Sequence, residues 1–330
     1  MKKLLTFICL SLAMIVASTS SIFAAEGKIE EMMKRTGYPK EAIVSEIEKY
    51  AKKRYHIIDD SVCRNCIHKF LEEEKMFDKL GVQLYTIRDF MKTPEDVRES
   101  FKKLKDLGYD QAQTAGSAID YAEFGQIAKE EGIEIVGTHE NFDRMTNDFD
   151  EALKIQKLLD APIMGIGGAG QILTVDDAVR LVGRMNDICA KLKPLNMRFS
   201  FHHHSHEFFR LENGKTAFET ICENLDKEVG TICLDTYWIQ NGGGDIRHWI
   251  DLLKGRIDVL HLKDMKKADR NDWFSTAYCE IGEGNMYWDG ILESAENAGV
   301  KYYVVEQDYS EDPFRSLEIS SNFLHRHFMK

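Results

Sequence analysis

From residue 81 onward, short apolar runs alternate with longer stretches in which apolar residues recur every three or four positions. The short runs are typical of buried strands, and the longer stretches are typical of amphipathic helices. Residues that start and stop helices mark the boundaries. Thr93-Pro94-Glu95-Asp96 has the form of a capping box with proline in the first turn, and Gly108 ends that helix. The pattern therefore predicts a chain of strand–helix units.

Eight such units follow one another along the chain. The predicted strands are 82–85, 109–113, 133–139, 162–167, 198–204, 230–235, 257–263 and 302–308, and the last helix lies near 313–327. Regular alternation implies a parallel sheet, and eight units favour closure as a (β/α)8 barrel, the TIM barrel of the α/β class. An open, doubly wound sheet is the alternative. No Gly-x-Gly-x-x-Gly motif follows the first strand, which disfavours dinucleotide binding.

The first 25 residues have the pattern of a secretory signal peptide. Lys2 and Lys3 form a charged start, 4–17 is apolar, and small residues lead to a cleavage region at Ala24-Ala25. An uncleaved membrane anchor is the alternative, but the apolar run is short for a bilayer span. We expect a protein exported to the periplasm, the cell surface or the medium, with no membrane span after cleavage.

Residues 26–79 are rich in Glu and Lys with periodic apolar positions, which predicts a helical extension before a barrel that occupies 80–330. Cys63 and Cys66 are the one closely spaced cysteine pair in the sequence. A local disulfide or a structural role is favoured over half a zinc site. The single cysteines expected to be small core residues are Cys189, Cys222, Cys233 and Cys279.

Composition narrows the possible partners. Of the 330 residues, 43% are hydrophobic, enough for a sizeable core, and the net charge is −12. Nucleic-acid backbones need a positive footprint, and this sequence has no long block of Lys and Arg, so nucleic acid is disfavoured as a partner. We expect a small molecule as the ligand, and a homo-oligomer stays possible.

The largest concentration of potential ligand side chains lies at the end of the fifth predicted strand, in Phe201-His202-His203-His204-Ser205-His206-Glu207-Phe208. Side chains alternate across a strand, so His202 and His204 share one face with Ser200, while His203 faces the other way. The C-terminal ends of barrel strands are where such folds hold ligands and metals. An isolated histidine run could equally be a surface feature, so the neighbouring strands decide between the two.

Three later strands also end in ligand-type residues, namely Asp235, His261 and Glu306, each opposite in face to the adjacent aliphatic residues. With His202 or His204 they form a mixed nitrogen and oxygen set. Such a set suits Mn²⁺, Co²⁺, Zn²⁺ or Fe²⁺ better than Ca²⁺ or Mg²⁺. Each residue alone could be structural, but four at one end of a sheet are hard to explain by packing because unpaired buried charges are costly.

Several motifs together resemble one protein family. They are Gly81-Val82-Gln83-Leu84-Tyr85, the His202–Phe208 segment, Leu234-Asp235-Thr236-Tyr237-Trp238, His261-Leu262-Lys263-Asp264, Gly282-Glu283-Gly284 and Val305-Glu306-Gln307-Asp308. From about 81 to 325 the chain resembles the sugar phosphate isomerase/epimerase family of xylose isomerase-like TIM barrels. That family also includes inosose dehydratases and AP endonucleases.

The resemblance implies a single divalent cation bound by residues from strands five to eight. Asp235, His261 and Glu306 match the family's ligands, and His202 stands in place of the usual strand-five glutamate, as in members resembling inosose dehydratase. The implied chemistry is proton abstraction next to a carbonyl, with the cation stabilising the enediolate. Two-base epimerisation uses two opposed glutamates, so here Glu207 or a histidine would have to supply the second base.

The resemblance also implies roles for residues around the cation. The candidates for the acid or base are Glu306, His204 and Glu207. His139, at the end of strand three, would hold a hydroxyl group or pass a proton; a loop histidine bonded to its own backbone is the alternative. Lys263 would neutralise developing charge, unless it forms an ion pair with Asp264.

Aromatic faces suit the C–H surfaces of sugars, so a sugar site would be lined by Tyr85, Arg88, Trp238 and Trp273. Ordinary packing at the rim is the alternative. The leading hypothesis is an exported, metal-dependent sugar isomerase, epimerase, dehydratase or lyase, acting on a free or oxidised sugar because phosphosugars are mostly cytosolic.

Two other functions stay open. A metal-dependent phosphodiesterase, as among the AP endonuclease relatives, would need more ligands, and Trp238 stands where those relatives carry another metal-binding histidine. The acidic balance also disfavours it. A carbohydrate-binding barrel without turnover is the third possibility.

Overall fold

The structure, a computed structural model, describes residues 76–272 and 274–329. Ten strands lie in this part: β1 Gly81–Gln83, β2 Gln111–Thr114, β3 Glu134–His139, β4 Ile163–Ile166, β5 Arg198–His202, β6 Gly230–Asp235, β7 Val259–Leu262, β8 Asp264–Lys267, β9 Thr276–Cys279 and β10 Tyr302–Val305. The predicted signal peptide, nearly all of the predicted helical extension, the Cys63–Cys66 pair and Trp273 lie outside the described residues.

Helices connect these strands. They are α1 Pro94–Asp106, α2 Tyr121–Glu130, α3 Phe142–Asn147, α4 Phe149–Leu159, α5 Val175–Leu192, α6 Ala217–Asn224, α7 Thr236–Asn241, α8 Ile246–Leu252, α9 Trp288–Ala298 and α10 Pro313–His327. Three short 3-10 helices cover Leu84–Phe90, Lys193–Leu195 and His206–Phe208. Within the described ranges, no helix combines the length and apolar character needed to cross a membrane.

Eight parallel strands close into a barrel in the order β1-β2-β3-β4-β5-β6-β7-β10. Closure comes from β10, which pairs with β7 on one side and with β1 on the other, where Gly81 lies opposite Val304. The predicted (β/α)8 barrel is therefore confirmed, and the alternative of an open sheet is wrong. The first helix begins as predicted, because Thr93 and Asp96 exchange both hydrogen bonds of a capping box.

The barrel interior is built in layers, and the layers follow from strand alternation. An apolar cluster takes one residue from each of five strands: Val136, Ile163, Cys233, Val259 and Val304. Residues two positions later point to the same side of a strand and lie one layer higher. Two positions after Cys233, Val259 and Val304 come the predicted ligands Asp235, His261 and Glu306. The apolar layer therefore supports a polar layer above it.

Several strands end earlier than the pattern predicts. The prediction of 198–204 as strand is wrong at its end, because β5 stops at His202 and the next residues turn into a 3-10 helix. The hairpin of β8 and β9 is absent from the prediction. Its sequence Asp-Met-Lys-Lys lacks apolar alternation, and local pairing such as Met265 with Tyr278 holds it together. The four single cysteines are buried and unbridged, as predicted.

The opposite end of the barrel holds a buried ion network. Asp258 precedes β7 and is 3% exposed. Its Oδ2 lies 3.1 Å from Nε of Arg198, and its Oδ1 lies 3.0 Å from Nζ of Lys301. These residues stand at the starts of β7, β5 and β10. This is the N-terminal end of the barrel, where residues usually contribute to stability rather than to catalysis.

Candidate metal centre and active site

The structure brings together the four residues predicted as metal ligands. One ligand atom from each of His202, Asp235, His261 and Glu306 lies within 4.8 Å of the other three, and all four residues are buried. Asp235 and His261 are directly opposite each other in the pairing of β6 with β7. Adjacent strands of a closed barrel thus deliver two imidazoles and two carboxylates to one point.

A hydrogen-bond chain that begins at the backbone of Tyr85 determines which nitrogen of His261 faces this point. The N–H of Tyr85 donates to Oε1 of Gln83 at 3.1 Å, so the amide Nε2 of Gln83 is free to donate to Oε1 of Gln113 at 2.8 Å. Oε1 of Gln113 then accepts from Nε2 of His261 at 2.6 Å. With hydrogen on Nε2, the imidazole presents Nδ1 to the two carboxylates.

The other histidine is oriented in the same way. Nδ1 of His202 donates to the carbonyl oxygen of Gly167 at 3.2 Å, which leaves the lone pair of Nε2 directed at Oδ2 of Asp235, 3.5 Å away. Such contacts on the far nitrogen fix metal-binding histidines in known sites. Both imidazoles therefore present a nitrogen lone pair to the same point.

Buried atoms without partners show that this donor set fits a cation. Nδ1 of His261 lies 2.9 Å from Oε2 of Glu306, yet neither atom makes a hydrogen bond of normal geometry. Lone pairs that face each other across such a distance are costly to bury unless a positive species lies between them. A divalent ion of the imidazole- and carboxylate-binding kind meets that need.

The charges of the cluster lead to the same conclusion. Nζ of Lys263 lies 3.1 Å from Oδ2 of Asp235, 2.8 Å from Oε2 of Glu306 and 2.9 Å from Oδ1 of Asp308. Burial would lower the pKa of Lys263, but these three carboxylates raise it well above its usual value. Three carboxylates against one ammonium leave a net charge of −2 when the imidazoles are neutral, which a divalent cation balances.

A proton is the competing occupant of this point. Burial lowers the pKa of His261, but the neighbouring Cys233 and Glu306 raise it well above its usual value. Burial would likewise raise the pKa of Glu306, whereas Lys263 and His261 hold it well below its usual range. A metal ion bound here would therefore displace a proton from His261, and its affinity would fall as the pH is lowered.

A cavity of about 330 Å³ opens above the cluster at the mouth of the barrel. It is lined by Tyr85, Ala115, His139, Gly167, His202, His204, Lys263, Glu306 and Asp308. The volume suits a small ligand, and the lining is rich in groups that exchange hydrogen bonds with hydroxyls.

His139 faces this cavity as a hydrogen-bond donor. Its Nδ1 lies 3.3 Å from the amide Nε2 of Gln83, whose orientation is already fixed, so Nδ1 accepts and Nε2 carries the hydrogen. Nε2 is buried and has no partner. Burial, followed by the charges of His202 and His261, lowers the pKa of His139 well below its usual value. The imidazole is therefore neutral, and its N–H is available to a ligand.

His204 and Glu207 occupy different positions, although both were candidates for acid or base. His204 lines the cavity, and burial lowers its pKa to about 3. Glu207 is fully buried and is not among the described residues that line the cavity. Its Oε2 accepts from the backbone N–H of His204 at 2.8 Å. Of the two, only His204 is placed to contact a ligand in the cavity.

The alternative interpretation of Lys263 as a partner of Asp264 is wrong. The carboxylate of Asp264 instead accepts from the backbone N–H groups of Gly282 and Gly284, at 3.0 and 3.2 Å, and from the indole of Trp288 at 2.8 Å. Sequence neighbours on a strand point to opposite sides, so Lys263 enters the barrel while Asp264 anchors the loop after β9.

The predicted sugar-binding residues form parts of the rim. Tyr85 is 41% exposed and lines the cavity. The guanidinium of Arg88 lies 4.0 Å from the ring centre of Tyr85 and donates to the carbonyl oxygens of Tyr85 and Asp308, at 2.7 and 3.1 Å. Trp238 stands behind the cavity, with its ring 5.2 Å from both Nζ of Lys263 and the ring of His204.

Sequence reasoning missed three residues of the site: Gln83, Gln113 and Asp308. Gln83 and Asp308 lie inside the motifs that carry the family resemblance, but nothing in the sequence says what they contact. Gln113 sits at an inward position of β2, and its neighbour Gln111 shares that face. Polar residues that alternate into a barrel interior are the signal that could have pointed to it.

Comparisons with known proteins concern the fold and the family of the chain. A search of curated protein sequences finds no significant match. A sugar phosphate isomerase/epimerase from Parabacteroides distasonis has 22% identity, a TM-score of 0.65, and coverage of 77% of this chain and 96% of its own. An L-ribulose 3-epimerase has 11% identity, a TM-score of 0.59, and coverage of 76% and 95%.

A structure of the IOLI protein with a zinc atom has 13% identity, a TM-score of 0.59, and coverage of 76% of this chain and 100% of its own. At these identities the structures show the shared fold alone. The family model for xylose isomerase-like TIM barrels matches residues 101–326, more than half of the chain. The chain therefore belongs to the xylose isomerase-like TIM barrel family, as its motifs predict.

Proposed function

We propose that this protein is a divalent-metal-dependent enzyme that moves a proton next to a carbonyl group of a sugar or keto-sugar. The observation that carries the proposal is the convergence of His202, Asp235, His261 and Glu306 beneath the cavity, where three carboxylates face the single ammonium of Lys263. These four residues would hold the metal. When bound, a divalent cation polarises a carbonyl oxygen and stabilises the negative charge that follows proton removal.

Each of four residues at the cavity would have its own role in the reaction. Glu306 lines the cavity as an ionised carboxylate and would take the proton from the carbon beside the carbonyl. The proton held by Glu306 would then return to the substrate from the same carboxyl group, while the neutral imidazole of His204, which lines the same cavity, would donate its N–H to a substrate oxygen. Nε2 of His139 would donate a hydrogen bond to a substrate hydroxyl. Lys263 keeps the carboxylates ionised.

The carbon atom and the face that receive the returning proton determine which product forms. Return to the neighbouring carbon gives an isomer, return to the opposite face gives an epimer, and loss of a hydroxyl on the next carbon gives a dehydrated product. His202 stands at the strand-five position where epimerases of the family have their second carboxylate base. A mechanism with one carboxylate base and a neutral imidazole as hydrogen-bond donor is therefore the form of this chemistry that the chain supports best.

The charge of the cavity favours a neutral substrate. Among the described lining residues the only Lys or Arg is Lys263, which three carboxylates already engage. A phosphate would meet carboxylates without a free cation, so a free or oxidised sugar fits better than a phosphosugar or a phosphodiester. Export directed by residues 1–25 would fit the same substrates, and we retain it as part of the proposal.

Incubation with a panel of sugars and keto-sugars in deuterated water tests this function. With Mn²⁺ added, we expect deuterium on a substrate or product carbon next to a carbonyl, detected by NMR or mass spectrometry. Glu306→Gln is the matched variant and should incorporate none. Binding of a sugar without any carbon-bound deuterium across the panel would contradict turnover and support a carbohydrate-binding barrel.

A further inference from the structure

A second group of potential metal ligands lies beside the cavity and shares no residue with the four-residue centre. It consists of His204, His206 and Glu207, each of which offers one ligand atom within 4.8 Å of the others. The three residues follow β5 in the turn around the 3-10 helix His206–Phe208. The two imidazole rings are nearly parallel, with 14° between their planes and 5.5 Å between their centres. A short segment thus offers two nitrogens and one oxygen.

Two atoms of this group are buried without a hydrogen-bond partner. Oε1 of Glu207 is one of them, although Oε2 of the same carboxylate is satisfied by the backbone of His204. Nδ1 of His204 is the other. A buried carboxylate oxygen and a buried imidazole nitrogen left without donors are costly, and both are good metal ligands.

The third ligand is accessible from outside the barrel. The side chain of His206 is 38% exposed, and its Nε2 lies 3.2 Å from Oε1 of Glu207. That distance suits two ligands of one small ion, since bonds to zinc are about 2.0–2.2 Å long. The same Nε2 now donates to the carbonyl oxygen of Gly170 at 3.0 Å. Gly170 is exposed, so water can replace this contact when an ion binds.

We propose that His204, His206 and Glu207 form a second cation site, which takes Zn²⁺ or Co²⁺. Two imidazoles and one carboxylate are a common ligand set for zinc, and such sets leave a position open for water or a ligand. The site is separate from the four-residue centre but adjacent to it, because the rings of His202 and His204 lie 4.9 Å apart.

An ion at this site would set the hydrogen position on His204. If Nδ1 binds the ion, the hydrogen of the imidazole is on Nε2, which is the form that donates a hydrogen bond to a substrate oxygen. This consequence rests on the proposed function, whereas uptake of the ion does not.

Metal stoichiometry tests the second site without using activity. The purified full-length protein is stripped with a chelator, dialysed against Zn²⁺ and measured by elemental analysis. We expect His206→Ala to hold one zinc fewer per chain than the wild type. His248→Ala is the matched control, because His248 is an exposed histidine outside both ligand groups, and it should hold the wild-type number.

Asp235→Asn separates this proposal from the proposed function, since it should remove a different equivalent of zinc. If His206→Ala holds as much zinc as His248→Ala, the second site is overturned whatever Asp235→Asn does. If His206→Ala loses one equivalent and Asp235→Asn loses none, the second site stands and the four-residue centre fails. Circular dichroism spectra equal to the wild type show that each variant is folded.

Discussion

Two buried ion networks stand at opposite ends of the same barrel, and they differ in their charge. At the N-terminal end, one carboxylate of Asp258 meets two cations, Arg198 and Lys301, whose side chains are 29% and 55% exposed. At the mouth, the fully buried ammonium of Lys263 meets three carboxylates. The first network has two cations for its single carboxylate, whereas the second has three carboxylates for its single ammonium.

The two networks are built on the same strands. β5 begins with Arg198 and ends with His202. β7 and β10 likewise have a member of the first network just before them and a metal-ligand candidate within one residue of their ends. An ion network whose carboxylate is already met by cations needs no further cation, whereas one with more buried carboxylates than cations is prepared to bind one. The difference teaches that burial and ion pairing alone do not identify a candidate cation site, but an excess of buried carboxylates does.

The largest expected effect comes from Asp235→Asn. It removes a ligand oxygen that faces His202, His261 and Lys263, so we expect loss of metal from the four-residue centre and no detectable turnover. The fold should persist because the substitution reduces the excess negative charge. Isothermal titration with Mn²⁺ and the deuterium assay measure both effects. Unchanged metal binding would contradict the assignment of the network at the mouth of the barrel as a metal site.

Asp258→Asn is the corresponding change at the other end. It leaves Arg198 and Lys301 without their shared carboxylate. Because both cations are partly exposed to solvent, we expect a loss of stability smaller than the about 3–5 kcal/mol of a fully buried pair. Urea unfolding should show this loss as a lower midpoint. Metal stoichiometry and turnover of the folded protein should equal the wild type, and a loss of metal instead of stability would reverse our assignment of the two networks.

Gln113→Leu should have an intermediate effect, on metal affinity. It removes the acceptor for Nε2 of His261 and so releases the ring to expose either nitrogen. Loss of such an orienting contact typically weakens metal binding about 10–100-fold. Gln156→Leu is the matched control, because the amide of Gln156 is also buried but donates to Thr138 rather than to a histidine. Equal affinities in the two variants would show that the hydrogen-bond chain does not orient His261.

The smallest expected effect is at the rim. Tyr85→Ala removes an aromatic wall of the cavity, and a contact of this kind contributes about 1 kcal/mol to binding. We expect a higher KM with little change in kcat. Phe209→Ala, at a residue that is 74% exposed and outside the cavity lining, serves as the control. Steady-state kinetics with any substrate found in the panel separate the two.

The barrel and the four ligand positions could be predicted because both follow from periodicity. Alternation along β6, β7 and β10 places Asp235, His261 and Glu306 above the apolar layer, and closure brings the strand ends together. The partners of Lys263 could not be predicted, because they lie at or after the ends of other strands, 28 to 45 residues away in the chain. The nitrogen that His261 presents depends on amide orientations, which only coordinates show.

Anomalous X-ray scattering from crystals grown with Zn²⁺ tests the central claim most directly. Data collected on both sides of the zinc absorption edge should show a peak within bonding distance of Nε2 of His202, Oδ2 of Asp235, Nδ1 of His261 and Oε2 of Glu306. No peak among these four atoms, with the ammonium of Lys263 still seated against the carboxylates, would contradict the metal centre.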